Sequence, residues 1–361
     1  MVRHQQGRWG WGEAKEILRF LCAVQIRKTM GKMKKTAIYQ LLPTFIVGLL
    51  MCAAGMFWSS FEDKKSFTVA VNIWPGMEAM LMSTQSRRLQ NERINFVEMS
   101  WSSAATGAFR LRVADAAIVT LDELLRLEDD GARPRAVLVL GISVGSDTIL
   151  GRPGLESISD LRGKRVGVEL RSSGEHLLLH ALSKNDMTMK DIQVVPLNQA
   201  ETETAYDDTD LDVVVTADPW SIRLRDKGAV VLYDSQAVGL ELSRVLVVSE
   251  DALEMYSKEV QTLVSSHLKH VLKSGEVDAG AEGLDVILRR ENLTPEQWHR
   301  AVKLIHAPDA EENLRLMNPA SGELVKCLKK MAEDMRRNGL LTHDCKMEPL
   351  LNSTFVERGR P

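Results

Sequence analysis

Ala108-Phe109-Arg110-Leu111-Arg112-Val113-Ala114-Asp115-Ala116-Ala117-Ile118-Val119-Thr120 is echoed further along the chain by Ala205-Tyr206-Asp207-Asp208-Thr209-Asp210-Leu211-Asp212-Val213-Val214-Val215-Thr216. Each segment is a helix end, an Asp in front of a short β-branched strand, and a Thr where that strand stops. An acidic residue follows both, Asp122 or Glu123 after the first and Asp218 after the second. In open α/β sheets ligands sit beyond the carboxyl ends of the strands. Two such edges in one chain predict two lobes facing each other across a cleft.

Working outward, Phe67–Ile73, Ile94–Met99, Ala116–Val119 and Ala136–Ile142 read as strands, with helices near Met77–Ser86, Ala104–Leu111 and Leu121–Glu128. A second lobe starts near Gly151. Its strands are Arg165–Val168, Val194-Val195, Val213–Val215 and Val230–Tyr233, and its helices begin at Ser172-Ser173-Gly174, Glu201 and Pro219. Alternating strand and helix implies parallel sheets with right-handed crossovers. Val245–Val248 carries the chain back to the first lobe, with hinges near Gly145–Gly151 and Leu240–Arg244. Asp251–Asn338 is helical almost throughout, and this tail is expected to pack on the first lobe. Within it Thr294-Pro295-Glu296-Gln297 is a helix start, with Thr as N-cap and Pro at the first helical position. The expected division is 1–64 leader, 65–148 first lobe, 149–240 second lobe, and 241–361 return and C-terminal helices.

A chain of 361 residues with net charge −3 has ample core for a bilobed body. Its near-neutral balance argues against nucleic acid, which requires a concentrated basic face. The charge is uneven: residues 1–35 carry Arg3, Arg8, Lys15, Arg19, Arg27, Lys28, Lys32, Lys34 and Lys35 against Glu13 and Glu16. Thr36–Phe61 has no charged residue, and Cys52-Ala53-Ala54-Gly55 follows its most apolar part. This is an export-signal pattern, with Met33 as a natural start and 1–32 as an upstream extension. Cleavage after Ala54 or Gly55, retention as an anchor across ~30 Å of hydrocarbon, and lipid attachment at Cys52 are the three readings. In each, the basic flank stays cytoplasmic and the body lies outside the inner membrane. The body keeps Cys327 and Cys345, which an oxidising compartment permits to pair; two unpaired thiols is the equal alternative.

Asn72-Ile73-Trp74-Pro75-Gly76-Met77-Glu78 resembles the "WPGYE" segment of substrate-binding proteins of nitrate/sulfonate/taurine-type ABC transporters. Ser157–Val168 is similar to their "sLaDLrGkrVGV" stretch, Asp212–Trp220 to "DAVVTfePv", and Leu246–Leu253 to their returning strand and helix start. The resemblance runs from about Val69 to Leu341. It implies a type-2 periplasmic-binding fold, two α/β lobes closing on a small solute, and delivery to a permease in the inner membrane. Arg112 and Thr209 stand where a Gly is usual before each Asp-led strand, and Met77 where an aromatic is common.

The candidate ligand-binding residues are Trp74, Glu78, Trp101, Thr120, Asp122, Ser143, Ser172, Ser173, Gly174, Glu175 and Asp218. Free N–H groups at the Ser172-Ser173-Gly174 helix start attract an anion, or Ser173 merely caps the helix. Glu78, Asp122, Asp147, Glu175 and Asp218 fall just beyond strand ends or in first helical turns, and together they favour an amine or a zwitterion. Trp74 and Trp101 are placed to stack on a planar ligand or enclose a cation. His176 and His180 share a helix face, but Glu175 precedes the first His, unlike the zinc-protease signature. No cofactor and no metal are expected. Hydrolase, kinase and dehydrogenase signatures are absent, and the pyrimidine-synthase relative of the same superfamily leads one to expect a Cys- and His-rich site that this body lacks. The expectation is therefore a monomeric, non-enzymatic extracytoplasmic solute-binding protein for an oxyanion or zwitterion. The alternatives are a membrane-tethered sensory module that reports its ligand to a signalling partner, or a thiamine-pyrimidine-related binder or enzyme.

Overall fold

The computed structural model describes residues 66–78, 80–81, 93–208, 210–271, 280–347 and 349–359. The chain divides at Lys64/Lys65, and the body is the unit from Lys65 onward. The leader, with its signal, anchor and lipid-attachment readings, lies outside the described residues, as do Thr209 and most of the Met77–Ser86 helix. Among the described residues no helix is long and apolar enough to cross a membrane.

Two sheets organise the body. The first lobe is built on β1 (Phe67–Asn72), β2 (Ile94–Met99), β3 (Ala116–Thr120) and β4 (Pro134–Ser143). The second is built on β5 (Asp147–Gly151), β6 (Arg165–Val168), β7 (Gln193–Pro196), β8 (Val213–Ala217) and β9 (Val230–Asp234). β10 (Ser243–Ser249) and the short β11 (Ile305–His306) return to the first sheet. The strand orders are β11-β4-β10-β3-β1-β2 and β7-β6-β8-β5-β9. Helices α1 (Ser102–Arg110) and α2 (Leu121–Asp129) belong to the first lobe, and α3 (Ser173–Ser183), α4 (Thr202–Asp207) and α5 (Trp220–Asp226) to the second. The tail runs through α6 (Glu250–Met255), α7 (Ser257–His270), α8 (Gly280–Glu291), α9 (Pro295–Val302), α10 (Ala310–Leu316), α11 (Glu323–Arg337) and α12 (Thr354–Arg358).

The echoed segments occupy equivalent places, and their Asp residues do the same work. Asp115 Oδ2 accepts the Thr68 N–H of β1 at 2.9 Å, while its own N–H donates to Thr68 O at 2.9 Å. Asp212 Oδ2 accepts the Arg165 N–H of β6 at 2.9 Å, while its N–H donates to Arg165 O at 3.0 Å. In both lobes the carboxylate satisfies a backbone donor at the start of the neighbouring parallel strand, where the ladder has run out of acceptors. The strands that come next, β3 and β8, are fully buried and lie inside their sheets.

Neither sheet is purely parallel, contrary to the reading from strand–helix alternation. β10 runs antiparallel to β3 and β4, and β5 runs antiparallel to β8 and β9. The reason is topological: each arrives from the opposite lobe, with no crossover helix to reverse its direction. β5 starts at Asp147, earlier than the expected lobe boundary, so the first passage is only Val144–Ser146 and the second is Ser235–Leu242. Ser143 Oγ and Ser235 Oγ meet at 2.7 Å between these passages, and Gly145 N–H donates to Ser235 Oγ at 2.7 Å. Gly145 sits at φ +120°, a conformation for which glycine is suited.

The tail does not pack on the first lobe alone. α7, α11 and α12 supply Val260, Leu263, Leu328, Met331 and Phe355 to the first lobe's core. In contrast, Ile287 of α8 and Trp298 of α9 form a separate apolar cluster with Ile222 of α5, in the second lobe. Asp226 at the end of α5 accepts from Arg300 and Gln297 of α9 at 2.7 Å and 2.9 Å.

Candidate functional site

The carboxyl ends of β1, β3, β4, β6 and β8 converge with the amino ends of β5 and β10 on one buried polar seam between the lobes. At its centre Arg244, 3% exposed, enters on β10 opposite Thr120. Its guanidinium lies 4.5 Å from the Trp74 ring centroid. It makes a two-pronged ion pair with Asp147, both N–H···O distances being 3.0 Å. Ser173 Oγ donates to the same carboxylate at 3.2 Å.

The lobes also meet through Glu169 and Glu175. Helix α1 starts at Trp101 with no side-chain cap of its own, and Glu169 from the second lobe supplies one: Ser103 N–H donates to Glu169 Oε1 at 2.7 Å. Arg126 of α2, 5% exposed, donates to Glu175 Oε2 at 2.8 Å across the cleft. Because these charges are buried, removing either partner of such a pair costs about 3–5 kcal/mol.

Beneath them Glu123 receives Ser102 Oγ–H at 2.6 Å and the Thr120 N–H at 2.9 Å. Burial, followed by the neighbouring Asp122 charge, pushes its carboxyl up to about 8. Burial likewise raises Glu169, although the N–H groups of Ser103, Ser102 and Gln199 oppose it. Asp218 is wholly buried and is pushed up to about 7, chiefly by desolvation, with Arg225 opposing and Asp147 reinforcing.

The residues singled out from sequence fall into five groups. Thr120, Asp122, Ser172, Ser173, Gly174, Glu175 and Asp218 line the seam. Ser172 caps α3, accepting the Gly174 N–H at 3.1 Å, and Thr120 Oγ1 donates to Asp122 at 2.6 Å. Ser143 is a hinge hydroxyl. Trp74 is packed on all sides: a Cβ at Gly76 would lie 2.0 Å from its ring, one at Gly141 would lie 2.8 Å away, and Arg244 stands over it. Trp101 stands at the rim, 37% exposed. Glu78 is drawn away from the seam to the tail, where Arg290 pairs with it at 3.0 Å and Glu291 of α8 lies beside it.

His176 and His180 are engaged separately, with Glu241 at 2.9 Å and Tyr233 at 2.9 Å. The Glu241 contact and the Asp122 charge outweigh burial and raise His176; Glu241 is held down to about 2 despite its own burial. Among the described residues no cluster of three His, Cys, Asp or Glu is arranged to hold a metal. Cys327 and Cys345 are free thiols, which burial pushes up to about 12 and about 11.

Arg244, Glu169 and Arg126 are not among the residues singled out from sequence, and two of them carry a signal. Glu169 is the first residue past β6, as Asp218 is the first past β8. Arg244 is the lone charge at the entry to an apolar strand.

A cavity of about 40 Å³ opens at the cleft mouth between α1, α2 and the β6–α3 turn, lined by Ser103, Thr106, Arg110, Arg126, Asp130 and Arg171. Its exposed guanidinia are already shared with Asp130, at 3.7 Å from Arg110 and 3.3 Å from Arg171.

Comparison with known proteins fits this geometry. Residues 148–274, from β5 to α7, match the family model described as NMT1/THI5 like. A binding protein of Brucella abortus (strain 2308) is 35% identical over 82 residues, and the match spans 26% of that relative's own length. The alkanesulfonate-binding protein SsuA from Xanthomonas axonopodis pv. citri, solved bound to MOPS, superposes with TM-score 0.67 at 20% identity, covering 80% of this chain and 98% of that one. The aliphatic sulphonate-binding SsuA of Escherichia coli gives 0.61 at 16% identity, covering 80% and 92%. The nitrate-binding NrtA of Synechocystis PCC 6803 gives 0.64 at 9% identity, covering 82% and 88%. The chain has the two-lobed fold of the periplasmic solute-binding proteins.

Proposed function

We propose that this chain is the extracytoplasmic solute-binding component of an ABC importer. It captures a small polar solute, oxyanion or zwitterion, between its lobes and presents the closed form to an inner-membrane permease. The observation that carries this reading is the polar seam itself: strand ends of both lobes converge there, and hydrogen bonds and ion pairs cross from one lobe to the other. Two short passages join the lobes, which is the arrangement a hinge closure needs. Relatives named for sulfonate and nitrate binding support the reading. The basic, then apolar, leader supports a periplasmic location or attachment to the outer face of the inner membrane.

Capture without chemistry is the better reading of the site. The described thiols lie at the first lobe's core with pKa values far above neutral, and the histidines of α3 are committed to Glu241 and Tyr233.

The test is a thermal-shift screen of the full chain against alkanesulfonates, nitrate, carboxylates, amino acids, amines and thiamine precursors. A true solute at 100 times its Kd adds about 2.7 kcal/mol of stability and is recovered unaltered. Silence across every class, or turnover of the solute that binds, contradicts the proposal.

A further inference from the structure

The donors at the helix starts of this cleft are already engaged, and its buried carboxylates outnumber its buried guanidinium groups. An oxyanion entering a binding-protein cleft is held by helix amino ends and guanidinium groups. Here those positions already hold carboxylates of the chain itself: Glu169 at the start of α1, Glu123 on the Thr120 N–H before α2, Glu175 on the Arg171 N–H before α3, and Asp147 on Arg244. The buried donors left without a hydrogen-bond partner include Trp74 Nε1 and Arg126 Nε, together with Arg225 Nε and the hydroxyls of Ser146, Thr202 and Thr216; Arg126 Nε faces Asp122 at 3.9 Å. Against them stand Glu169 Oε2, 6% exposed as a residue, and Asp122 Oδ2, both buried without a hydrogen-bond partner. The buried charges lean the same way. Asp122, Glu123, Asp147, Glu169 and Asp218 lie buried within the seam, facing the buried Arg126 and Arg244 and the half-buried Arg225 beside Asp218. Buried carboxylates in excess of their partners are costly unless a positive charge joins them or a proton neutralises them.

Resting on the solute-binding reading above, we propose that the captured solute carries an ammonium group, which docks between Glu169 of the second lobe and Glu123 of the first. The ammonium brings positive charge to this pair and a donor to Glu169 Oε2, the one of its four oxygens without a hydrogen-bond partner. The groups facing the pair define its protonation. Glu123 looks onto Asp122 of its own helix, the Ser102 hydroxyl of α1, the Thr120 N–H, and Glu169 from the other lobe. Glu169 looks onto the N–H groups of Ser102, Ser103 and Gln199. Without a solute a proton on Glu123 relieves the repulsion. When the ammonium arrives that proton leaves to solvent, so binding is coupled to proton release. An anionic tail on the solute is compatible with the guanidinium-lined mouth, but it does not provide the discrimination.

Isothermal titration calorimetry of the full chain tests this with matched solutes: short alkylamines, the corresponding amino acids, and the same carboxylates and sulfonates without the amine. Ammonium-bearing members should bind at least tenfold tighter than their amine-free counterparts. Their Kd should fall about tenfold per pH unit between pH 6 and 8 if one proton is released, with a binding heat that depends on the buffer's ionisation enthalpy. Glu169→Gln should weaken them at least tenfold. Glu123→Gln, whose own folding is checked by its unfolding curve, should flatten the pH dependence even where some affinity survives. Amine-free anions binding as tightly as amines overturns the ammonium assignment and leaves the solute-binding reading standing. Binding of divalent metal ions alone also overturns it. Failure of every solute removes the solute-binding reading itself, and this inference with it.

Discussion

The two lobes share a frame and differ at the edge. In each, an Asp in front of an inner strand accepts the first N–H of its parallel neighbour, Thr68 in one lobe and Arg165 in the other. Past the strand the lobes diverge. β3 leads through Thr120 into α2 with Asp122 and Glu123 in its first turn, whereas β8 leads through Ala217 to Asp218-Pro219 and the short α5. The first lobe contributes Arg244 and the packed Trp74; the second contributes Asp147, Glu169 and the Ser172-Ser173 turn. The repeated part is held by backbone geometry and the divergent part by charge, so the frame sets where a ligand sits and the edges set which ligand it is.

The strongest way to break this comparison is to cut the charge pair that joins the lobes. Asp147→Ala leaves Arg244 buried and unpaired, and should cost about 3–5 kcal/mol in urea unfolding. The double change Asp147→Leu with Arg244→Met should recover much of that loss. If the single change is silent, the seam is not desolvated as described.

Next comes pH. Glu123 and Asp218 have folded pKa values of about 8 and about 7, above the ordinary carboxyl range, so in those windows the folded chain holds protons that the unfolded chain has released. Solute-free stability is therefore full at low pH and falls as pH rises toward 8, by at most about 1.4 kcal/mol per pH unit for each group. His267, which burial holds down to about 4, slopes the opposite way but only below its ordinary value near 6.5; above that, the raised His176 adds to the fall, so the Glu123 share is read from the difference between the chain and its Glu123→Gln variant between pH 6.5 and 8. Glu123→Gln should reduce the fall there, and an unchanged slope would acquit Glu123 of the effect.

Smaller effects compare the frames directly. Asp115→Ala leaves the part-buried Thr68 N–H unsatisfied and should cost about 1–2 kcal/mol, while Asp212→Ala at the more exposed Arg165 should cost about 0.5–1 kcal/mol. Equal losses would contradict the difference in burial. Arg112 occupies the left-handed region at φ 58°, so Arg112→Gly should be neutral to slightly stabilising, by about 0.5 kcal/mol, once the exposed pair with Asp251 is discounted. A clear destabilisation would show that Arg112 does more than turn the chain.

The frame is legible in the sequence because its physics is local. An Asp, a β-branched run and a Thr recur at matching places, and Arg112 takes the left-handed conformation at the position where the resemblance expects a Gly. The direction of β5 and β10 is not local: it depends on which lobe the chain has just left, and no periodicity encodes that. The tail's division between lobes is hidden for a related reason, since the apolar faces of α8 and α9 do not say which neighbour covers them. At the site, Ser172, Ser173 and Asp218 are visible as strand-end residues. Glu169 sits at the equivalent position, but in sequence it reads as one more surface carboxylate. Whether Trp74 lies open to a ligand or packed under Arg244 is a tertiary fact, unreadable from the WPG turn.

Whether a solute is clasped between the two lobes is decided by hydrogen–deuterium exchange of the full chain, with and without the tightest solute from the calorimetric series. Added protection is expected at the start of α1 in the first lobe and at the start of α3 in the second, rising together along one titration curve. Protection confined to one lobe, or appearing only in the tail helices, would contradict such a clasp.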